Sequence, residues 1–400
     1  MRTAGQVIVF LIAVRALGVR GYGAYAAVMA LAGATGALTG FGVNALLIRD
    51  VARVPERFPD AWGRTLASIL LSAPLLFVVY LLIAWKILPT GIPVHVILGL
   101  GIAEILLAPL AFAAAAAFQG HERIGRTAWM ALAPVLPRLM AAFVFSLMLR
   151  WLTVDTRLTL WVWLYAGASF LAALYTLWVV HKELGAAVFP KAGILGAWRA
   201  GWGYALAGMA QRLYAEIDKT MLASLSSLSV AGLYSAGYRV IDMANIPLKG
   251  LLTAVLPRFF RASNSDADQP GGTQALKIVP APLAYAVFIS VAIYQLAGIF
   301  PWLLGEQYQG VVPVLRLLAW MPLLAVPRMF FQTVLGGAER QTVVVIILLI
   351  GAAMDILLNL WLIPRLAWKG ALIATYAAEA FMLTAMLVEI VRARFRRRVR

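Results

Sequence analysis

The chain has 400 residues, 63% of them hydrophobic and only 13% charged, with a mean hydropathy of +0.87. A soluble domain is nearer about 45–50% apolar and about 25% charged, so the polar side chains here are too few to cover a soluble globule. The 34 Lys and Arg against 17 Asp and Glu give a net charge of +17; in a chain this apolar the excess points to membrane orientation, and no nucleic-acid partner is expected. The absence of cysteine excludes disulfides, thiolate metal sites and thiol nucleophiles. Three histidines (His95, His121, His181), far apart in sequence, leave little room for a histidine-based centre.

A membrane-spanning helix needs about 20 mostly apolar residues. Twelve runs qualify, at 4–17, 24–48, 66–88, 94–118, 128–149, 158–180, 200–224, 230–256, 278–304, 311–335, 342–363 and 370–391. The expected fold class is therefore an all-α integral membrane protein. The first run is short, and no A-x-A-like cleavage site follows it. Prolines 134, 137, 247, 313, 322 and 327 fall within spans, where they kink or are tolerated. The small-residue runs Ala30–Gly42 and Ala111–Ala117 suit close helix packing.

Twelve spans put both termini on one side. The loops on that side carry 20 Lys and Arg, six of them Arg in the 392–400 tail, against 6 on the other. The positive-inside rule makes the richer side cytoplasmic. Trp85, Trp151, Trp161, Trp163, Trp302 and Trp368 fall near outer helix ends and Trp62, Trp178 and Trp198 near inner ends, as an aromatic belt requires. The expectation is a multi-pass protein of the cell inner membrane with cytoplasmic termini, its tail resting on anionic lipid.

The connection after the fourth span reads Gly120-His121-Glu122-Arg123, and the one after the tenth reads Gly337-Ala338-Glu339-Arg340. Val19-Arg20-Gly21-Tyr22 before the second span matches Val230-Ala231-Gly232-Leu233 before the eighth, and Arg49 matches Arg258, at nearly the same offset. We read two six-helix halves, 1–190 and 191–400, joined by a linker at 181–199. Six is even, so the halves are parallel repeats. Two facing bundles imply a central cavity and alternating access.

Charge inside a bilayer is expensive and so informative. Fourteen such residues fall within spans, and seven of them sit in the seventh and eighth. Arg212 and Glu216 share a helix face, Asp218 looks elsewhere, and Arg239 and Asp242 form another face. Arg15 and Arg138 lack an acidic partner at helical spacing. Two readings stand: paired charges holding helices together, or a hydrated cationic cavity whose guanidinium groups bind phosphate oxygens. Asp355 and Asn359 on the eleventh span, and Thr375 and Glu379 on the twelfth, are i,i+4 pairs. With Asp218 they form an oxygen-rich set suited to Na⁺ or a proton, or else a hydrogen-bonded cluster between helices.

The stretch Ala13-Val-Arg15-Ala-Leu-Gly18-Val-Arg-Gly21-Tyr22-Gly23, then Gly40-Phe-Gly42-Val-Asn44 running to Arg49-Asp-Val-Ala52, resembles the opening of polysaccharide flippases. Glu216-Ile-Asp218-Lys, Gly232-Leu-Tyr234-Ser235-Ala236-Gly-Tyr-Arg239, Leu256-Pro257-Arg258 and Leu304-Gly305-Glu306-Gln-Tyr308 continue that likeness along nearly the whole chain. These flippases belong to the multidrug/oligosaccharidyl-lipid/polysaccharide exporter superfamily. The resemblance implies a twelve-helix, two-lobed protein. It would move an undecaprenyl-pyrophosphate-linked glycan to the outer leaflet, for surface polysaccharide such as lipopolysaccharide, with membrane lipids and a polysaccharide polymerase as further partners. Arg15, Arg49, Arg212 and Arg239 match its cavity or near-cavity basic positions, and Arg138 joins them as a candidate ligand. Asp218, Asp355, Asn359 and Thr375 resemble the cation site of the related lipid II flippases, with Glu379 beside them. Coupling to Na⁺ or H⁺ is then expected, with no cofactor and no enzymatic activity. The short first span departs from the family pattern. A multidrug antiporter of the same superfamily is the alternative, disfavoured by the excess of basic over acidic residues inside the membrane. A membrane enzyme would need larger aqueous loops.

Overall fold

Gly18 joins the first two expected spans. In the computed structural model, which describes residues 2–190, 192–247, 280–337 and 340–398, α1 (Arg2–Gly36) continues past the expected connection. Only Gly18 departs from helical geometry, at φ 68° and ψ 175°, a conformation open to a residue without Cβ. The second span is cut further on. Gly40, Phe41 and Gly42 all take positive φ, at 77°, 49° and 81°. The glycines tolerate this and Phe41 does not, so the neighbours must hold it. The Gly40 N–H donates to Ser72 Oγ (2.7 Å), and Thr39 Oγ1 donates to the Ile105 carbonyl (3.2 Å). The Phe41 ring lies against Trp198 and Trp202, at 4.7 and 5.4 Å between centroids.

Beyond this break, α2 (Val43–Arg53) is amphipathic, burying Val43, Leu46, Leu47 and Val51. Long helices follow: α3 (Phe58–Ile87), α4 (Val94–Gly120), α5 (Ile124–Trp151), α6 (Val154–Leu184) and α7 (Ile194–Leu225). They coincide with the expected spans, extended at their ends. α5 loses regular helix at Ala133-Pro134, one of the expected kinks. The alanine run on α4 buries Ala113, Ala114, Ala116 and Ala117 against Leu46, Leu47, Trp62 and Val180, the close packing that small side chains permit.

The chain separates into two compact units, Met1–Ser224 and Leu225–Arg400. The division follows α7, whereas the sequence reading divides at 190. Helix α7 packs with the first unit: Ala197 enters the α2–α4 core, Thr220 Oγ1 donates to the Ala27 carbonyl (2.8 Å), and Gly201 abuts the Phe41 carbonyl.

The second unit begins with α8 (Leu228–Ala244), capped by Ser227 Oγ accepting from the Val230 N–H. Helix α9 (Pro280–Leu296) continues through short turns to Leu304. Helices α10 (Val311–Leu318) and α11 (Pro322–Gly337) meet at a 45° bend, where Pro322 opens the new helix. Then come α12 (Gln341–Leu366) and α13 (Trp368–Arg398). Lys191, Lys249, Arg258, Arg261, Lys277, Arg400, the end of the eighth expected span and Ala338-Glu339 of the second repeat motif lie outside the described residues.

Among the described residues, eight helices are long and apolar enough to cross a membrane, nine if the bent pair is one span. Twelve were expected. The first candidate merges two expected spans, and α7 is not among the eight. These helices turn large apolar side chains outward, among them Leu70, Leu71, Leu75 and Leu82 on α3 and Phe170, Leu171 and Leu174 on α6, as lipid-facing surfaces require. Trp85, Trp151 and Trp302 are exposed near helix ends, and Lys86 and Arg150 lie over the first two rings. The molecule is a multi-pass membrane protein.

Candidate functional site

The sequence reading left Arg138 without an acidic partner. The structure supplies one from another helix. Arg138, on α5, has its Nη2 3.8 Å from Glu104 Oε1 on α4. Tyr165, on α6, donates its hydroxyl to that same oxygen at 2.7 Å, and the guanidinium lies over the Tyr165 ring, 4.5 Å from its centroid. Tyr25 on α1 packs edge-on against Tyr165 and Trp161. Glu104 sits in a π-helical turn, Ile102–Leu107; such turns gather at functional sites. One backbone carbonyl of that turn, Ile105, is satisfied by Thr39 from beside the Gly40–Gly42 break.

Arg212 on α7 reaches the same place. Gly33 of α1 is the shared wall: a Cβ there would lie 3.8 Å from Arg212 Nη1 and 4.0 Å from Glu104 Oε2. Two of the five proposed head-group arginines thus fall in one neighbourhood, Arg138 against Glu104 and Arg212 across Gly33 from it. Most of Arg138's hydrogen-bonding capacity is unspent, and its Nε is buried with no hydrogen-bond partner among the described residues. Arg15 is exposed on α1. Arg49 lies elsewhere, pairing at 2.8 Å with Asp50, which also holds Arg64 at 2.8 Å. With Arg126 on Glu183 (2.7 Å), this makes a band of ion pairs beside the α2–α4 core. Arg239 is half-buried on α8 of the second unit.

On α7 the pairing also differs from helical-wheel logic. Lys219, rather than Arg212, serves Glu216: its Nζ lies 2.8 Å from Glu216 Oε2 and 3.7 Å from Asp218 Oδ1, and donates to the Ala215 carbonyl at 2.8 Å. Asp218 is buried and accepts from the Lys219 backbone N–H. A buried lysine therefore compensates the first member of the expected cation set.

Four other members of that set sit in the second unit. Helices α12 and α13 form an antiparallel hairpin in which Gly351 faces Met382. One turn along, this register sets Asp355 level with Glu379; a further turn sets Asn359 level with Thr375. All four are buried. Thr375 Oγ1 donates to the Ala371 carbonyl (2.9 Å) and lies 3.4 Å from the Tyr234 hydroxyl on α8. Glu379 is bound by Arg328 of α11, Nε to Oε2 2.5 Å, and Arg328 also donates to Gln332. Asn359 differs: both polar atoms of its amide are buried without a hydrogen-bond partner among the described residues. Such a group is costly unless something fills its place. Among the described residues, no group of three or more His, Asp or Glu is placed to hold a metal.

Residues 4–263 match the polysaccharide biosynthesis protein family. The chain belongs to that family. No curated protein matches the sequence. Among solved structures, the fold is similar to an inward-facing multidrug resistance MATE family transporter of the MOP superfamily (TM-score 0.72, 13% identity, 99% of this chain and 95% of that one). It is similar also to the lipid II flippase MurJ in an inward closed conformation (TM-score 0.73, 10% identity, 97% and 86%). A third is a MOP superfamily transporter from Pyrococcus furiosus described as having a binding pocket of reverse polarity (TM-score 0.61, 15% identity, 98% and 94%). These identities establish the shared fold. The resemblance to the flippases of this superfamily, seen first in the Arg15–Ala52 stretch, therefore extends to a family match and a common architecture.

Proposed function

We propose that the protein is a flippase that carries a polyprenyl-pyrophosphate-linked oligosaccharide from the inner to the outer leaflet of the cytoplasmic membrane by alternating access. In this reading it has twelve spans in two six-helix halves, cytoplasmic termini and no enzymatic activity. The observation that carries the reading is that Arg138 pairs with Glu104 while Arg212 and the same carboxylate both border Gly33 of α1. Two guanidinium groups in the neighbourhood of a single carboxylate leave a net positive site, and guanidinium forks match phosphate oxygens. The polyprenyl tail stays in lipid, so only the charged head needs the protein. Arg15 and Arg239 are proposed as further head-group contacts.

Asp355, Asn359 and Thr375 are proposed as the coupling site, with the orphaned Asn359 amide as a ligand for Na⁺ or a partner in proton transfer; Glu379, held by Arg328, would set its local charge. Moving one charge through 100 mV releases about 2.3 kcal/mol, enough to bias the cycle. The test is deletion of the gene followed by leaflet-resolved analysis of lipid-linked oligosaccharide. Accumulation on the cytoplasmic leaflet is expected; normal outer-leaflet levels in the deletion strain would overturn the proposal.

A further inference from the structure

Glu104 is not required for binding an anion, and its position opposes it. A carboxylate against Arg138 and close to Arg212 cancels part of the field that a phosphate would feel. Its contact with Arg138 is long, 3.8 Å, on one guanidinium nitrogen only. A pair built for stability would be short and bidentate. The firm bond is instead from the Tyr165 hydroxyl, at 2.7 Å. Tyr165 is itself buried and fixed by Tyr25 and Trp161. Glu104 is thus held by a neutral donor while standing against the Arg138 guanidinium. The π-helical turn carries it to that position.

We infer that Glu104 is an internal stand-in for the diphosphate head group: it holds the Arg138 guanidinium, with Arg212 close by across Gly33, when the site is empty, and the incoming diphosphate displaces it. On release the carboxylate returns, and this lowers the cost of letting the anion go. Without it, departure would leave the partly buried Arg138 guanidinium uncompensated, a state that penalises release. The inference rests on the reading of Arg138 and Arg212 as head-group ligands. It adds that the same site carries its own competitor.

The test uses the full-length protein in neutral-lipid nanodiscs, with inorganic pyrophosphate as the probe and a second set of discs doped with undecaprenyl pyrophosphate. Glu104→Gln keeps the size and the hydrogen bond to Tyr165 but removes the charge. It should bind pyrophosphate about tenfold more tightly than wild type, the scale of one charge-assisted contact. Tyr165→Phe frees the carboxylate from its anchor and should give a smaller gain, about threefold. Loss of the Glu104→Gln gain in doped discs identifies the lipid-linked diphosphate as the occupant; persistence of the gain identifies free diphosphate, and both support the swap. Unchanged or weaker binding in both variants, with Arg138→Ala abolishing it, would overturn the stand-in and leave the head-group site intact. Wild-type affinity in Arg138→Ala and Arg212→Ala would overturn the head-group reading itself, and absence of binding in every protein would overturn both. If Glu104→Gln does not fold, the Tyr165→Phe gain decides, because its ring and packing are retained.

Discussion

Gly201 faces the carbonyl of Phe41 so closely that no side chain fits between them. The contact is reciprocal, for a Cβ on Gly42 would strike the Gly201 carbonyl. It docks α7 on the three-residue break that separates α1 from α2, with Trp198 and Trp202 closing over the Phe41 ring. Gly201→Val should push α7 away from the break and destabilise the protein by about 1–3 kcal/mol, the usual cost of overpacking. Gly203→Val, two residues on with open space around it, should be nearly silent. Thermal unfolding of both variants in detergent checks the contrast.

Arg328 and Glu379 form a buried ion pair between α11 and α13. Removing one partner leaves a charge without its compensation, so Arg328→Met alone should cost about 3–5 kcal/mol. The double variant Arg328→Met with Glu379→Gln should recover most of that loss. If Glu379 acts only through this pair, the double variant also regains export. Unfolding midpoints and surface glycan measured together separate structure from transport.

Asn359→Leu replaces a buried, unsatisfied amide by an apolar group of similar size. A purely structural asparagine would lose nothing, and stability should hold or rise slightly. A coupling ligand would lose the ion dependence of transport. The expected outcome is an unchanged unfolding midpoint with loss of Na⁺- or pH-gradient-driven flipping in proteoliposomes.

His121 lies in the connection between α4 and α5, against the ring of Phe58. Burial pushes its pKa below the ordinary histidine value, and Arg123 lowers it further. The folded chain therefore binds this proton less readily than the unfolded chain. Its share of stability is present above the unfolded value of about 6.5 and is lost as pH falls toward the lower folded one. His121→Gln should flatten the decline in thermal stability between about pH 7 and about pH 5, around the ordinary histidine range. The effect is small, because the side chain is only partly buried.

Where a span is uniformly apolar, composition alone located it, as for α3, α4, α6 and α12. The breaks were less legible. Gly18 and the Gly40–Gly42 run could both be read as glycine-rich helix, because a glycine's φ is decided by its neighbours. The site shows the same limit. The sequence singles out Arg138 and Arg212 as costly charges, yet spacing along one helix reveals only i,i+3 and i,i+4 partners. Arg138 finds Glu104 across two helices, and no periodicity encodes that meeting. Tyr165 escaped notice, since an aromatic residue within a span looks like lipid-facing or core packing. A buried hydroxyl needs an acceptor, and that requirement was the available signal.

The π-turn at Ile102–Leu107 sets the phase of all that follows it. Each residue of an α-helix advances the side chains by about 100°, and a π-turn absorbs one surplus residue. Upstream of it, Val96 and Leu100 point into the core; downstream, Ala113, Ala114 and Ala117 do so as well. Deleting one residue here would restore regular helix and rotate one half against the other. Either the alanine face would leave α2 or the upstream half would turn away from its own packing. Insertions and deletions in this turn should therefore be rare among functional relatives, even where side chains vary.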